Sequence, residues 1–411
     1  MTVCWYENFL IPVIFRFIKI NKEFEMSKFP SNSSFLLGSG FCVEFGIPLI
    51  NTITNDLRSF FGRDRFQPVV NKWKEKGNLD FSDDTLDLFF SIIENQELNY
   101  EQIIGKLEEL YEQHRAPKNE EFRGLLYRTN EYLSFIFIKY HANFTKFRET
   151  ILLYKGMKII ASKCKPTWIF TLNHDLLIEM IASEYKIPLS EGFGHEIKPI
   201  IFQDIVSGGR YQINSNIFPI QNLNLDKMTF FPKNEYGINL VKIHGSLGLF
   251  TFDDRKYIIK LIPDGLSLND WIKSLIKSNL MIHPRNLPKS INEISFYNES
   301  GVLQFLRRTL LSGEHKFHKK FSQEAPHEFL RLFPEKLKDF SNLIIIGYGF
   351  KDVHINEILI KWLADNLDHQ LFVVDPYLKE IPQNLINFSN RFNLIKKTAT
   401  EFLNNPEFSA Y

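Results

Sequence analysis

Cysteine is nearly absent from this chain. Cys4, Cys42 and Cys164 are the only three in 411 residues. They form no CxxC pair and no even-numbered framework, which excludes a disulfide-stapled fold and a cysteine-held zinc module. A reducing, cytoplasmic setting and no bound metal are therefore expected. An excess of one charge is also missing: 49 Lys and Arg stand against 48 Asp and Glu, a net charge of +1. That balance gives no electrostatic drive toward nucleic acid or a membrane surface, so neither partner is expected. Long apolar runs are lacking too. The opening "MTVCWYENFLIPVIFRFIKI" is broken by Arg16, is too short to span a bilayer, and has neither the basic start nor the cleavage site of a secretory leader. Residues 1–30 are expected to form a separate N-terminal segment used in packing or assembly. Residues 1–25 could equally be an extension upstream of Met26. Internal repeats and low-complexity linkers are absent.

What the chain does have is apolar material, 44% of it, with 40 Phe. That is enough for a large aromatic core and some assembly surface. Short apolar runs end in glycine or polar residues: "SFLLGSG" near 35, "TWIFTLNHD" at 167–175, "INLVKIHGS" at 238–246, "NLIIIGYGF" at 342–350 and "QLFVVDP" at 370–376. Continuous apolar strands separated by helices predict a parallel sheet covered on both faces. "LLIEMIASEY" reads as a helix after Asp175. "INEILIKWLADN" reads as another, capped by Asp352. The fold class is thus α/β, a Rossmann-like open parallel sheet. Residues 51–165 interrupt it with helical periodicity, including "NYEQIIGKLEELYEQ" with Asn99 as cap and Gln102 three residues on. Residues 251–340 read as a second, irregular or helical insertion containing helix-like "SGVLQFLRRTLLS".

In such a sheet, ligands sit beyond the carboxyl ends of the strands. That rule selects Gly38-Ser39-Gly40, Asn173 with Asp175, His244, Gly347-Tyr348-Gly349 and Asp375. A glycine turn opening a helix suits a diphosphate, or it serves only sterics. Asn173 and Asp175 suit ribose hydroxyls or a water, while Asp175 alone also suits a helix cap. His244 can accept a proton near neutral pH, or be a structural histidine at a strand end. Asp375 can bind an adenosine ribose or simply precede Pro376 in a turn. His315 and His318 read as surface residues. His195 and His283 read as loop residues in a position to line a pocket.

The order of these segments resembles the sirtuins. "GSGFCVEFGIP" is similar to the motif GAGxSxxxGIP, with Ser39 for Ala and Cys42 for Ser. "TLNHD" resembles TQNxD, with Leu172 for Gln and with Asn173 and Asp175 kept. "KIHGS" resembles the strand ending in the sirtuin His-Gly, which puts His244 at that position. "GYGFKDVHI" resembles the late "GYSFxDxHI" of bacterial sirtuin-like proteins. The likeness covers most of residues 30–376, and residues 31–411 are read as one sirtuin-like NAD-binding domain.

The resemblance implies NAD+ as substrate. It implies that Gly38, Ser39 and Gly40 hold the diphosphate and that Cys42, Ile47 and Pro48 also belong to the cofactor-binding set. Asn173, Asp175 and His244 are the implied catalytic residues. Gly347 and Asp375 are implied for the adenosine half, with Tyr348 and Gly349 also in the cofactor-binding set. Residues 251–340 carry no cysteine where sirtuin deacylases carry a zinc module, and the GIP is not followed by Asp-Phe-Arg. These departures favour the branch resembling NAD+ hydrolases of anti-phage defence (abortive infection). That branch implies a homo-oligomer acting with a HerA-type ATPase or an Argonaute-like protein. A protein deacylase or ADP-ribosyltransferase, and a catalytically silent NAD+- or ADP-ribose-binding regulatory or structural subunit, remain as alternatives.

Overall fold

The structure is a computed structural model. It describes residues 29–77, 81–141, 144–203, 210–253, 255–282, 294–297, 303–310, 313, 326–406 and 408. The N-terminal segment up to residue 28, and with it Cys4, lies outside the described residues, as do His283, His315 and His318.

Along the chain, strand β1 (Ser33–Leu37) leads into a run of helices: α1 (Ile50–Phe61), α2 (Arg63–Glu75), α3 (Asp83–Glu94), α4 (Tyr100–Gln113), α5 (Lys118–His141), α6 (Phe144–Thr150) and α7 (Gly156–Lys163). Then come β2 (Thr167–Thr171), α8 (Leu177–Glu184), β3 (Leu189–Ser190), β4 (Lys198–Gln203), β5 (Arg210–Pro219) and β6 (Ile238–Lys242). Next are β7 (Leu249–Phe252), β8 (Tyr257–Ile262), α9 (Leu268–Ile282), β9 (Ile294–Tyr297) and β10 (Leu303–Arg308). The chain closes with α10 (Glu328–Leu337), β11 (Asn342–Ile346), α11 (Val353–Asp365), β12 (Gln370–Val374), β13 (Phe392–Ile395) and α12 (Ala399–Asn404).

Seven strands form one parallel sheet in the order β13-β12-β11-β1-β2-β6-β3. Each of the five apolar runs is one of its strands. They are apolar throughout because the sheet is covered on both sides. Phe35, Leu37, Ile169 and Ile344 face one core, shared with the helical insertion. Leu36, Phe170, Val241, Leu343 and Ile345 face the other, under α10 and α11. The fold is therefore Rossmann-like α/β. From β1 the chain proceeds to β2 on one side, and the later strands β11 and β12 fill the other. The order reverses between β1 and β11, where such sheets open their ligand crevice.

The described residues between 50 and 163 are mostly helical, as the periodicity predicts. Asn99 caps α4 in a full capping box with Gln102. The aromatic residues there mostly pack on each other: Phe61 meets Phe66 and Phe89 edge-on, and Phe60 stacks on Tyr132 at 4.0 Å.

The second insertion departs from expectation. Besides the helices α9 and α10, the residues from 251 on contribute strands. Six antiparallel strands close into a barrel, β10-β7-β8-β5-β4-β9, and this unit draws in residues from Lys198 onward, well before 251. "SGVLQFLRRTLLS" holds strand β10, not a helix. Its leucines fit a helical period, but pairing with β9 and β7 decides the local structure. Ile200, Phe250, Ile259, Leu261 and Leu306 form the buried core of this barrel. No helix among the described residues is long and apolar enough to cross a membrane.

Candidate active site at the carboxyl ends of the sheet

The glycine turn after β1 is shaped first by a neighbouring backbone. Gly38 N–H donates to Ile346 O at 3.0 Å and Gly40 N–H to Gly347 O at 2.8 Å. A Cβ on Gly38 would lie 2.6 Å from Gly347 O, and one on Gly40 2.7 Å from Gly347 Cα. Gly347 itself has φ of 64°, in the left-handed region that favours glycine. Three glycines thus let the loops after β1 and β11 touch at the switch point. The glycine turn runs into a single 3-10 turn, Ser39–Cys42, and the first α-helix starts only at Ile50. The helix dipole expected behind the turn is therefore weak. Ser39 is the exposed member of the three.

Cys42, Asn173 and Asp175 meet in one buried cluster. The Cys42 thiol donates to Asp175 Oδ2 at 2.9 Å. Asp175 Oδ1 accepts from Leu177 N–H at 2.9 Å at the start of α8, so its carboxylate both caps a helix and anchors the glycine loop. Burial, then the nearby Asp175 charge, push the Cys42 thiol well above its ordinary range. It is a protonated donor, not a nucleophile. Asn173 Nδ2 donates to Gly38 O at 2.9 Å and to Cys42 Sγ at 3.1 Å. Among the described residues no hydrogen bond reaches its Oδ1. The amide is thus locked by its nitrogen and presents its oxygen. Leu172 packs against the core beneath α10 and α11.

His244 follows β6 and is buried. Its ring lies 6.2 Å, centre to centre, from that of His174. Its Nε2 is 3.4 Å from Asp352 Oδ2, with both side chains 7% exposed. The loop that carries it is fixed from both sides. Ile243 N–H donates to Thr171 O at 2.9 Å, and Leu247 N–H to His174 O at 3.0 Å. Thus the ends of β1, β2, β6 and β11 are tied together, and with them Gly38, Asn173, His244 and Gly347.

Other residues selected from sequence fall differently. The Tyr348 hydroxyl turns inward, donating to Asn356 Oδ1 at 3.0 Å and lying 3.1 Å from Asp352 O. Ile47 is buried in the core, and Pro48 lies just before α1. Gly349 is exposed. Asp375 Oδ1 accepts from Tyr377 and Leu378 N–H at 2.7 and 2.9 Å, the turn geometry that sequence allowed. His195 is exposed.

Sequence reasoning missed a set of buried charges beside the site. Lys242, two residues before His244, pairs with Glu179 of α8 at 3.0 Å, with side chains 3% and 1% exposed. It also donates to Asp175 O. Lys260 of the barrel pairs with Glu191, and burial lowers its ammonium to about 8. The lysine in "KIHGS" was the available signal. A polar residue inside an apolar strand demands a buried partner. Among the described residues, no group of three or more His, Cys, Asp or Glu is arranged to hold a metal.

No protein-family model matches the chain, and no curated protein matches it. Among solved structures, it is similar to one described as "The Structural basis of Sirtuin Substrate Affinity", at 13% identity and a TM-score of 0.38, covering 91% of each chain. It is also similar to "Sir2-p53 peptide-NAD+", at 13% identity and 0.37, covering 91% of this chain and 90% of that one. A third is "Crystal structure of a Sir2 homolog-NAD complex", at 12% identity and 0.38, covering 91% and 87%. These are distant likenesses. The fold class rests on the strand order of the sheet.

Proposed function

We propose that the chain is an NAD+ glycohydrolase that cleaves NAD+ to nicotinamide and ADP-ribose. The observation that carries this reading is the meeting of a glycine turn, Asn173 and His244 at neighbouring carboxyl strand ends, with the motifs in sirtuin-like order. Glycosidic cleavage needs an anchored diphosphate and a positioned water. Asn173, locked through Nδ2, offers Oδ1 to a ribose hydroxyl or to that water. His244 is the general base for the same proton. Asp175 acts from behind, holding Cys42 and so the glycine loop. Because Gly38 and Gly40 spend their N–H groups on the β11 side, contact with the diphosphate falls mainly to Ser39 and the 3-10 turn. Gly347, Gly349 and Asp375 border the adenosine half.

An enzyme that drains NAD+ harms its own cell if always active. This supports a further part of the proposal: the chain works as an oligomeric effector of anti-phage defence by abortive infection, held down until a HerA-type ATPase or an Argonaute-like partner engages it. Two measurements test the proposal. His244→Ala should slow NAD+ loss by roughly 10²–10⁴-fold while circular dichroism stays unchanged. Light scattering should give a mass well above the 48.5 kDa of one chain. A folded His244→Ala protein with wild-type turnover would remove the catalytic reading, and a strict monomer would remove the assembly.

A further inference from the structure

Asp352 performs two tasks at once. Its Oδ1 caps α11, accepting from His354 N–H at 3.1 Å and Ile355 N–H at 3.3 Å. Its Oδ2 faces His244 Nε2 at 3.4 Å, and both of those atoms are shut off from solvent. The separation is within ion-pair range but longer than a settled N–H···O bond, as catalytic contacts often are before substrate arrives. The carboxylate is held rigidly. The Tyr348 hydroxyl lies 3.1 Å from Asp352 O and donates to Asn356, while Asn356 Nδ2 donates to Phe350 O at 2.8 Å. Phe350 sits at φ of 55°, a strained position for a bulky residue that this network maintains.

Among the described residues, three further charged or titratable groups near His244 are placed as follows. His174 lies across from it ring to ring. Lys242, the last residue of β6, points to Glu179 and Asp175 O. Arg308 at the end of β10 donates to Leu247 O at 3.0 Å. Without Asp352, the positive end of α11 would point toward the ring and oppose an imidazolium.

We propose that Asp352 is a positioning residue for His244: it fixes the ring through Nε2, directs Nδ1 toward the substrate and stabilises the imidazolium formed there. In this scheme Nδ1 takes the proton of the ribose hydroxyl or water. Nε2–H stays between ring and carboxylate, and Asp352 remains ionised throughout. The inference rests on the NAD+ hydrolase reading for its catalytic meaning, but the pairing can be measured without turnover.

Asp352→Asn keeps a good helix cap and removes the charge. Histidine ring carbons labelled with 13C, with the His244 signal assigned by its loss in His244→Gln, report the titration directly. The His244 midpoint should fall by about one pH unit or more in Asp352→Asn. The acid limb of NAD+ consumption should move down by the same amount, with the plateau rate about tenfold or more below wild type. Should the Asn variant fold poorly, Asp352→Ser retains a capping oxygen and should show the same shift. An unchanged His244 midpoint in the folded variant overturns the proposal. If wild type consumes no NAD+ at all, the hydrolase reading fails on its own, and the ring titration still decides whether Asp352 governs His244.

Discussion

Gly245, next to the candidate base His244, faces the carbonyl of Thr309 so closely that a Cβ placed on it would overlap that oxygen. Its φ is 80°. Thr309, just past β10, also accepts a hydrogen bond from Ser246 N–H at 3.4 Å. The last barrel strand therefore braces the loop that carries His244. Gly245→Ala should cost at least about 1–2 kcal/mol from the left-handed backbone alone, and more from the overlap. Urea unfolding should show the loss, and NAD+ turnover should fall even in the fraction that folds. A variant as stable and as active as wild type would mean the barrel does not support the site.

The buried Lys242–Glu179 pair makes a second prediction. Removing one partner leaves an uncompensated charge in the interior. Glu179→Leu should therefore destabilise the protein by about 3–5 kcal/mol. Replacing both, as Lys242→Met with Glu179→Leu, should recover most of that loss. Denaturant midpoints of the three proteins decide it. A single variant within about 1 kcal/mol of wild type would show that solvent reaches the pair.

His141 makes stability depend on pH. Its Nε2 accepts from Leu176 N–H at 3.1 Å, and its Nδ1 lies 2.8 Å from Phe137 O. The ring is thus neutral, with its proton on Nδ1. Burial, the largest influence, holds it below the ordinary 6.5. Below that value the unfolded chain takes up a proton that the folded one refuses. The stabilisation is therefore complete above pH 6.5 and is lost as pH falls beneath it, by up to about 1.4 kcal/mol per pH unit. His141→Gln should flatten this part of the curve. Melting temperatures of both proteins between pH 8 and 5 provide the check, and parallel curves would contradict it.

The parallel sheet was legible because its strands are apolar throughout and each breaks off at glycine or a polar residue. The helical insertion was legible because caps such as Asn99 and an unbroken 3.6-residue period are local properties. The barrel was not. "LQFLRR" carries both a helical and an alternating pattern, and only pairing with β9 and with β7, some fifty residues earlier in the chain, chooses between them. The site divides in the same way. Gly38, Asn173 and His244 were legible from their positions after strands. Asp352 was legible as a cap, but its contact with His244 depends on β6 and α11 meeting in space. Asp175 had two readings, ribose or water contact and helix cap. Its observed bonds to Cys42 and to the start of α8 could be specified only by the packed structure.

Hydrolysis of NAD+ is tested most directly by incubating the purified protein, alone and with candidate partners, with NAD+ in the absence of any acylated peptide, then separating the products. Nicotinamide and free ADP-ribose are expected in equal amounts, with both lost in His244→Ala. Nicotinamide release that requires an acylated peptide, or NAD+ that binds and is never cleaved under any of these conditions, would contradict the glycohydrolase reading.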